Sequence, residues 1–171
     1  DAALAMQAAD EALRADPGCA RALTMRGVAL TNLLKDFGRA REDFDAALEE
    51  NPSESLAWLI RGTLFAFSDR GEEAVRDTDM ALALSPCDPH RYFYLCLAAG
   101  ARLTAGDDAA ALRLATDSAR ANPRHLSTLR ILATAQWRLG HAEESQATVR
   151  HLLSLDPSLT AARYLESTPA G

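Results

Sequence analysis

The sequence is poor in aromatic residues and contains almost no lysine. Phe, Trp and Tyr make up 6% of its 171 residues, and of 18 basic residues only Lys35 is a lysine. Strands favour aromatic and β-branched side chains, whereas the apolar residues here, 48% of the chain, are largely Ala and Leu. This composition predicts closely packed helices rather than a sheet, and the pairing of frequent Ala with scarce Lys suggests a GC-rich bacterial genome.

The chain also lacks an excess of positive charge and a long apolar run. Its net charge is −6, and phosphate binding needs clustered Lys and Arg, so direct nucleic-acid binding is not expected. The longest apolar run, residues 92–101, is about half of what a membrane helix requires, and no signal peptide is visible. We therefore expect neither a membrane span nor a membrane partner.

Cysteine is sparse, and its three positions follow no disulfide framework. An odd set consisting of Cys19, Cys87 and Cys96 favours a reducing compartment, so we predict a cytoplasmic location. The chain begins with Asp1 rather than methionine, which we interpret as the start of a piece of a longer protein.

Five prolines recur at a nearly constant interval. Successive members of the series are 35, 34, 37 and 34 residues apart, at Pro17, Pro52, Pro86, Pro123 and Pro157. Each follows Asp, Asn or Ser, and a residue before proline is pushed out of the α region, so each pair ends a helix. Counted from Pro89 instead of Pro86, the following interval is also 34.

Each interval between prolines shows the pattern of two helices. After Pro52, apolar residues at three-and-four spacing run to Phe67, a break follows at residues 69–71, and a second helix extends to Pro86. A single helix hairpin cannot bury its apolar face alone, so neighbouring hairpins must cover it.

Small and aromatic residues occupy repeating places within these intervals. The clearest sets are Trp58, Gly62, Phe65, Ala74, Ala81 and Pro86; Gly27, Ala40, Phe44, Ala47 and Pro52; and Gly106, Ala111, Ser118 and Pro123. The pattern resembles the tetratricopeptide repeat, which has a period of 34 residues. Departures are one extra residue within residues 34–38, three extra residues at 87–89, and Ala99 and Ala133 where glycine is usual.

The resemblance implies an all-α fold, a right-handed α-solenoid of antiparallel helix hairpins arranged as a tetratricopeptide-like superhelix. Residues 1–171 would form a single array with about four full repeats, a preceding half repeat and a C-terminal capping helix. The expected boundaries are 1–17 for the second helix of a truncated repeat, 18–52, 53–86, 87–123 and 124–157 for the repeats, and 158–171 for the capping helix and tail.

No catalytic constellation can be assembled from the sequence, so we predict that the chain is not an enzyme and uses no cofactor. The nearest approach to a metal site is Cys87-x-x-His90, which supplies two ligands where a closed zinc site needs four. We therefore predict no metal site. The acidic cluster at residues 42–45 is expected to be a solvated outer face.

In tetratricopeptide proteins the first helices usually line a concave surface that holds an extended or helical peptide. The resemblance therefore implies a protein–protein interaction scaffold with a protein or peptide partner. Phe67 and Trp137 are favoured, because large aromatics near arginine are typical of interface hot spots. By phase, the partner-binding residues would be Arg21, Leu59, Thr63, Phe67, Phe93, Arg130, Thr134, Trp137 and Arg138.

One known mode of binding within this family does not fit. Co-chaperones of this fold grip a chaperone's carboxylate tail with Lys and Asn on successive first helices. The matching places here hold Thr24, Leu59 and Cys96, and only Arg130 is basic. An amphipathic or hydrophobic segment is the better candidate for so apolar a groove.

A second resemblance leaves an alternative open. Residues 84–89, 120–123, 130–133 and 152–157 resemble the C-terminal repeats of bacterial winged-helix regulators and nucleotide cyclases. The chain would then be an effector-sensing or self-association domain of a signalling protein. Exposed end faces of a helical stack would also allow homo-oligomers.

Overall fold

The computed structural model describes residues 2–167, which contain ten α-helices and no strand. Asp1 and residues 168–171, part of the predicted tail, lie outside the described residues. The helices are α1 (Ala2–Ala15), α2 (Ala20–Ala29, followed by a π-helical turn at Leu30–Leu34), α3 (Phe37–Glu50), α4 (Ser55–Phe67), α5 (Gly71–Leu84), α6 (Arg91–Thr104), α7 (Asp108–Ala121), α8 (Leu126–Arg138), α9 (Ala142–Leu155) and α10 (Ala161–Ser167).

The helices form four hairpins that stack in chain order. Each hairpin pairs a first helix with a second helix, as α2 with α3, α4 with α5, α6 with α7 and α8 with α9. The first helices α4, α6 and α8 also contact one another, and α1 packs on α2. Each unit therefore covers the apolar face of its neighbour, which confirms the predicted α-solenoid of helix hairpins.

Asp or Asn side chains set the start of each of the four first helices and of α10. In each case Oδ1 accepts a hydrogen bond from the backbone N–H two residues later, a turn that these residue types favour. At the third hairpin this turn uses Asp88 and not Ser85, so the extra residues lengthen the loop between α5 and α6. The five accepting residues are Asp16, Asn51, Asp88, Asn122 and Asp156.

The turn inside each hairpin contains one residue with a left-handed backbone conformation. In the last two hairpins this residue is a glycine, Gly106 or Gly140, with φ of 79° and 82°. Lys35 and Asp69 occupy the same place in the first two, with φ of 56° and 58°. The extra residue of the first hairpin is taken up by the π-helical turn that ends just before Lys35.

Buried small residues bring the two helices of a hairpin close together. A Cβ atom on Gly62 would lie 2.8 Å from Thr78 Cγ2 and 3.0 Å from the carbonyl oxygen of Ala74. A Cβ atom on Gly27 would lie 2.6 Å from Cε1 of the fully buried Phe44. Both glycines therefore allow an approach that a larger residue would prevent.

Arginines on the first helices connect neighbouring hairpins. Arg26 makes a bidentate pair with Asp43 of its own hairpin, at 2.7 and 2.8 Å, and also bonds Asp10 of α1 at 3.0 Å. Because Asp43 is buried, the expectation that residues 42–45 form a solvated face is wrong for this residue. Its charge is needed inside the stack because the arginine beside it requires a partner.

The next hairpin repeats this arrangement. Arg61 on α4 pairs with Asp77 on α5 of the same hairpin and with Asp45 on α3 of the preceding hairpin, each at 2.7 Å. The Asp77 side chain is completely buried, so this ion pair belongs to the interior of the stack.

A concave groove along the first helices

Side chains from α4, α6 and α8 form a groove with a volume of about 730 Å³. The π-helical turn, α9 and α10 contribute at its two ends. The lining residues are Asn32, Ile60, Thr63, Ala66, Phe67, Phe93, Cys96, Leu97, Gly100, Leu103, Thr104, Ser127, Arg130, Ile131, Ala133, Thr134, Val149, Leu152 and Tyr164.

The surface of this groove is mainly apolar. Phe67, Phe93, Leu103 and Ile131 provide its large side chains, one or two from each first helix. The ring of Phe67 stacks on that of Phe37 with 6.3 Å between centroids, which fixes its orientation. The groove can therefore bury an apolar partner surface without reorganising this aromatic side chain.

Arg130 is the one charged residue among the lining residues that the structure describes. Its Nη2 donates to Ser127 Oγ at 2.7 Å, and its guanidinium carbon lies 4.9 Å from the ring centroid of Tyr164. No carboxylate among the described side chains lies within ion-pair distance of Arg130. The groove therefore presents a half-buried positive charge that no described carboxylate pairs.

The threonine hydroxyl groups of the groove donate to their own helices. Thr63, Thr104 and Thr134 each donate to the carbonyl oxygen four residues earlier, at 3.0, 3.4 and 2.9 Å. Asn32 Nδ2 likewise donates to the carbonyl oxygen of Val28 at 3.2 Å. These donors are consequently engaged before any partner arrives.

A polar cluster lies beneath the groove, where α6, α7 and α8 meet. Thr128 is fully buried and lies 2.7 Å from Ser118 Oγ and 2.8 Å from His125 Nδ1. Burial, and secondarily the charge of Arg130, lower the pKa of His125. Burial also raises the pKa of the Cys96 thiol, so both groups favour their neutral forms at neutral pH.

The groove brings together five of the residues that the resemblance implied, namely Thr63, Phe67, Phe93, Arg130 and Thr134. Leu59 is fully buried and packs with Ala81 and Tyr94. Its assignment as a partner-binding residue is wrong, because its side chain points into the stack and has no surface to offer.

Three other implied residues lie outside the groove lining. Arg21 pairs with Glu54 at 3.0 Å, and Arg138 pairs with Asp108 at 3.1 Å. Trp137 is 64% exposed on the last turns of α8. A partner role for these residues stays a prediction, and it would require contacts beyond the groove itself.

Several lining residues were not expected from the sequence. Ile60 and Ile131 follow the helical spacing of Thr63 and Thr134, so that spacing could have found them. Val149, Leu152 and Tyr164 come from α9 and α10, and no repeat signal places them beside the first helices.

Solved structures provide close matches to this helical arrangement. PilW, a widely conserved type IV pilus biogenesis factor, superposes with a TM-score of 0.82 at 22% identity, over 99% of this chain and 81% of PilW. MamA from Desulfovibrio magneticus RS-1 gives 0.73 at 18% identity, over 94% and 88%. YrrB, a tetratricopeptide protein with an unusual peptide-binding site, gives 0.70 at 16% identity, over 95% and 87%. The chain has the tetratricopeptide repeat fold.

Part of the sequence is also similar to part of a longer known protein. A stretch of 52 residues is 42% identical to the peroxisomal targeting signal receptor of Kluyveromyces lactis. It covers 30% of this chain but only 9% of the receptor, so the receptor's activity as a whole does not transfer. No family model matches the chain.

Two features are absent from the part of the chain that the structure describes. Within residues 2–167 no helix is both long and apolar enough to cross a membrane. The same residues contain no group of three or more His, Cys, Asp or Glu side chains placed to hold a metal ion.

Proposed function

We propose that this tetratricopeptide array is a protein–protein interaction scaffold that receives an apolar segment of a peptide or protein partner in its concave groove. The observation that carries the proposal is the continuous apolar surface of α4, α6 and α8, which opens to solvent around a half-buried arginine. Exposed concave surfaces of this kind mark binding sites, since an apolar surface gains free energy when a partner removes it from water.

Two comparisons support a binding role over a catalytic one. YrrB, which shares the fold, has a peptide-binding site. The Kluyveromyces lactis protein that is similar over 52 residues is a targeting signal receptor. We further propose a cytoplasmic location and no direct nucleic-acid binding. The free state of Cys19, Cys87 and Cys96 and the net charge of −6 support these two points.

Site-specific photo-crosslinking tests the groove. A photoreactive phenylalanine analogue at Thr134, which is exposed and lines the groove, should crosslink to a partner in the native cell extract. The matched control carries the same analogue at Arg113, which is exposed on α7 outside the groove. Equal adducts at both positions, or none at Thr134 while the intact protein captures a partner, would contradict the groove assignment.

Self-association is the second candidate, and a specific observation favours it. Apolar side chains are exposed on α8 and α9, with Trp137 64% and Leu153 41% accessible. A regulatory domain of a signalling protein could dimerise through such side chains. Sedimentation velocity should then show a concentration-dependent dimer that Leu153→Glu abolishes, whereas a monomer at all concentrations would remove this candidate.

A further inference from the structure

We infer that the occupant of the groove is an α-helix of a partner protein, apolar along one face and carrying an Asp or Glu that pairs with Arg130. This inference rests on the proposed function and narrows it from any apolar segment to a helical, acidic one.

The first argument concerns how few hydrogen bonds the groove offers to a peptide backbone. Its walls are α-helices, whose backbone groups bond within the helix. The hydroxyls of Thr63, Thr104 and Thr134 donate to their own helices as well. An extended peptide would bring backbone N–H and C=O groups into this surface, and burying them without partners costs free energy.

A helical occupant avoids that cost, because its own backbone hydrogen bonds are already made. Neighbouring helix axes lie about 8–10 Å apart, so the surface across α4, α6 and α8 is roughly 16–20 Å long. A helix of about 12 residues spans that length at 1.5 Å per residue. Its apolar residues at three-and-four spacing would contact the large side chains of the groove, namely Phe67, Phe93, Leu103 and Ile131.

The second argument is charge complementarity. Arg130 is the one charged lining residue, and no described carboxylate pairs with it. Its contacts with Ser127 and Tyr164 hold the guanidinium in place without neutralising it. The charge of Arg130 acts on Asp156 from beyond ion-pair distance, so a purely apolar helix would leave the guanidinium without a direct partner, which an Asp or Glu on the occupant would supply.

Two displayed peptide libraries of equal diversity test the inference. The first randomises one face of a short helical scaffold, and the second has the same composition with a central proline that prevents a helix. We expect groove-dependent binders only from the helical library, and we expect them to share an Asp or Glu at one position.

Anisotropy of fluorescein-labelled copies of the selected peptides measures the contribution of Arg130. Arg130→Gln should weaken binding about tenfold or more, as expected for loss of a charge-assisted contact. The matched variant Arg113→Gln removes an exposed charge outside the groove and should bind normally. A peptide with Lys in place of its acid should bind Arg130→Glu better than it binds the wild type, and circular dichroism should show unchanged helicity for every variant.

The outcomes separate this inference from the proposed function. Groove-dependent binders from the proline library, or helical binders without a shared acid, would refute the inference while supporting the groove as a binding site. Binders from neither library, or binders insensitive to Phe67→Ala and Arg130→Gln alike, would overturn both.

Discussion

Replacing Gly62 with alanine should destabilise the stack, although alanine is the better helix former. The new Cβ atom would lie 2.8 Å from Thr78 Cγ2, 3.0 Å from the Ala74 carbonyl oxygen and 3.1 Å from the Thr78 backbone nitrogen. The methyl contact could be relieved by a side-chain movement. The two backbone contacts can be relieved only if α4 and α5 move apart, which disturbs the packing along both helices.

The expected magnitude comes from two opposing terms. Alanine in place of a mid-helix glycine contributes about 0.5–1 kcal/mol of stability. Overpacking a tight interface costs about 1–3 kcal/mol. We therefore expect Gly62→Ala to lose roughly 1–2 kcal/mol of unfolding free energy, which corresponds to about 2–8 °C in Tm for a chain of this size.

Gly100 provides the matched control, because it lies within α6 but has room for a methyl group. Its added Cβ would lie 3.5 Å from Ile131 Cδ1, an ordinary contact. Gly100→Ala should therefore gain about 0.5–1 kcal/mol. Adding Thr78→Ala to Gly62→Ala should restore only part of the loss, because the backbone contacts remain.

Urea denaturation followed by far-UV circular dichroism measures all four proteins under one set of conditions. A Gly62→Ala variant as stable as the wild type would refute the packing argument. Complete restoration by Thr78→Ala would show that the methyl contact alone was responsible.

Three further predictions concern the buried ion pairs, a hairpin turn and pH. Asp77→Ala should lower the unfolding free energy, measured with denaturant, by roughly 2–4 kcal/mol because it leaves Arg61 without its buried partner. Asp79→Ala, which breaks a half-exposed pair, should cost less than about 1 kcal/mol, and equal losses would contradict a buried role for Asp77. Lys35→Gly should raise the stability by about 0.5–1 kcal/mol, seen as a higher Tm, because Lys35 has φ of 56°; a lower Tm would argue against that conformation. Because the pKa of His125 is lowered in the folded chain, the unfolded chain binds a proton at this residue more readily, and stability should fall as pH drops below about 6.5. The decline of Tm with falling pH should be shallower in His125→Gln, and equal declines in the two proteins would contradict a role for His125.

The fold was predictable because its signals are local. Asp–Pro and Asn–Pro pairs end helices through chemistry confined to a few residues, and small residues recur wherever two helices touch. The departures also have local explanations. The third hairpin has Ala99 at the place of Gly62 and Ala115 at the place of Thr78, both fully buried, so a larger residue on α6 is accompanied by a smaller one on α7.

The candidate site was less predictable because it depends on how hairpins lie against one another. The position of Leu59 in its repeat predicts that it lies on a first helix. It does not predict that Tyr94 and Ala81 cover the Leu59 side chain. Tyr164 enters the groove from beyond the last hairpin, a contact that no spacing in the sequence encodes. The charge of Asp43 looked solvated for the same reason, since its partner Arg26 lies 17 residues away.

The π-helical turn at Leu30–Leu34 determines how far the effect of an inserted residue extends. Arg26 and Asp43 are 17 residues apart, whereas the matching pair Arg61 and Asp77 are 16 apart. Both ion pairs nevertheless form, because the extra residue of the first hairpin is accommodated in the wider π-helical turn just before the turn between α2 and α3. Insertions at this point are therefore confined to one hairpin, so the length of a unit can drift during evolution while the surfaces it shares with its neighbours are preserved.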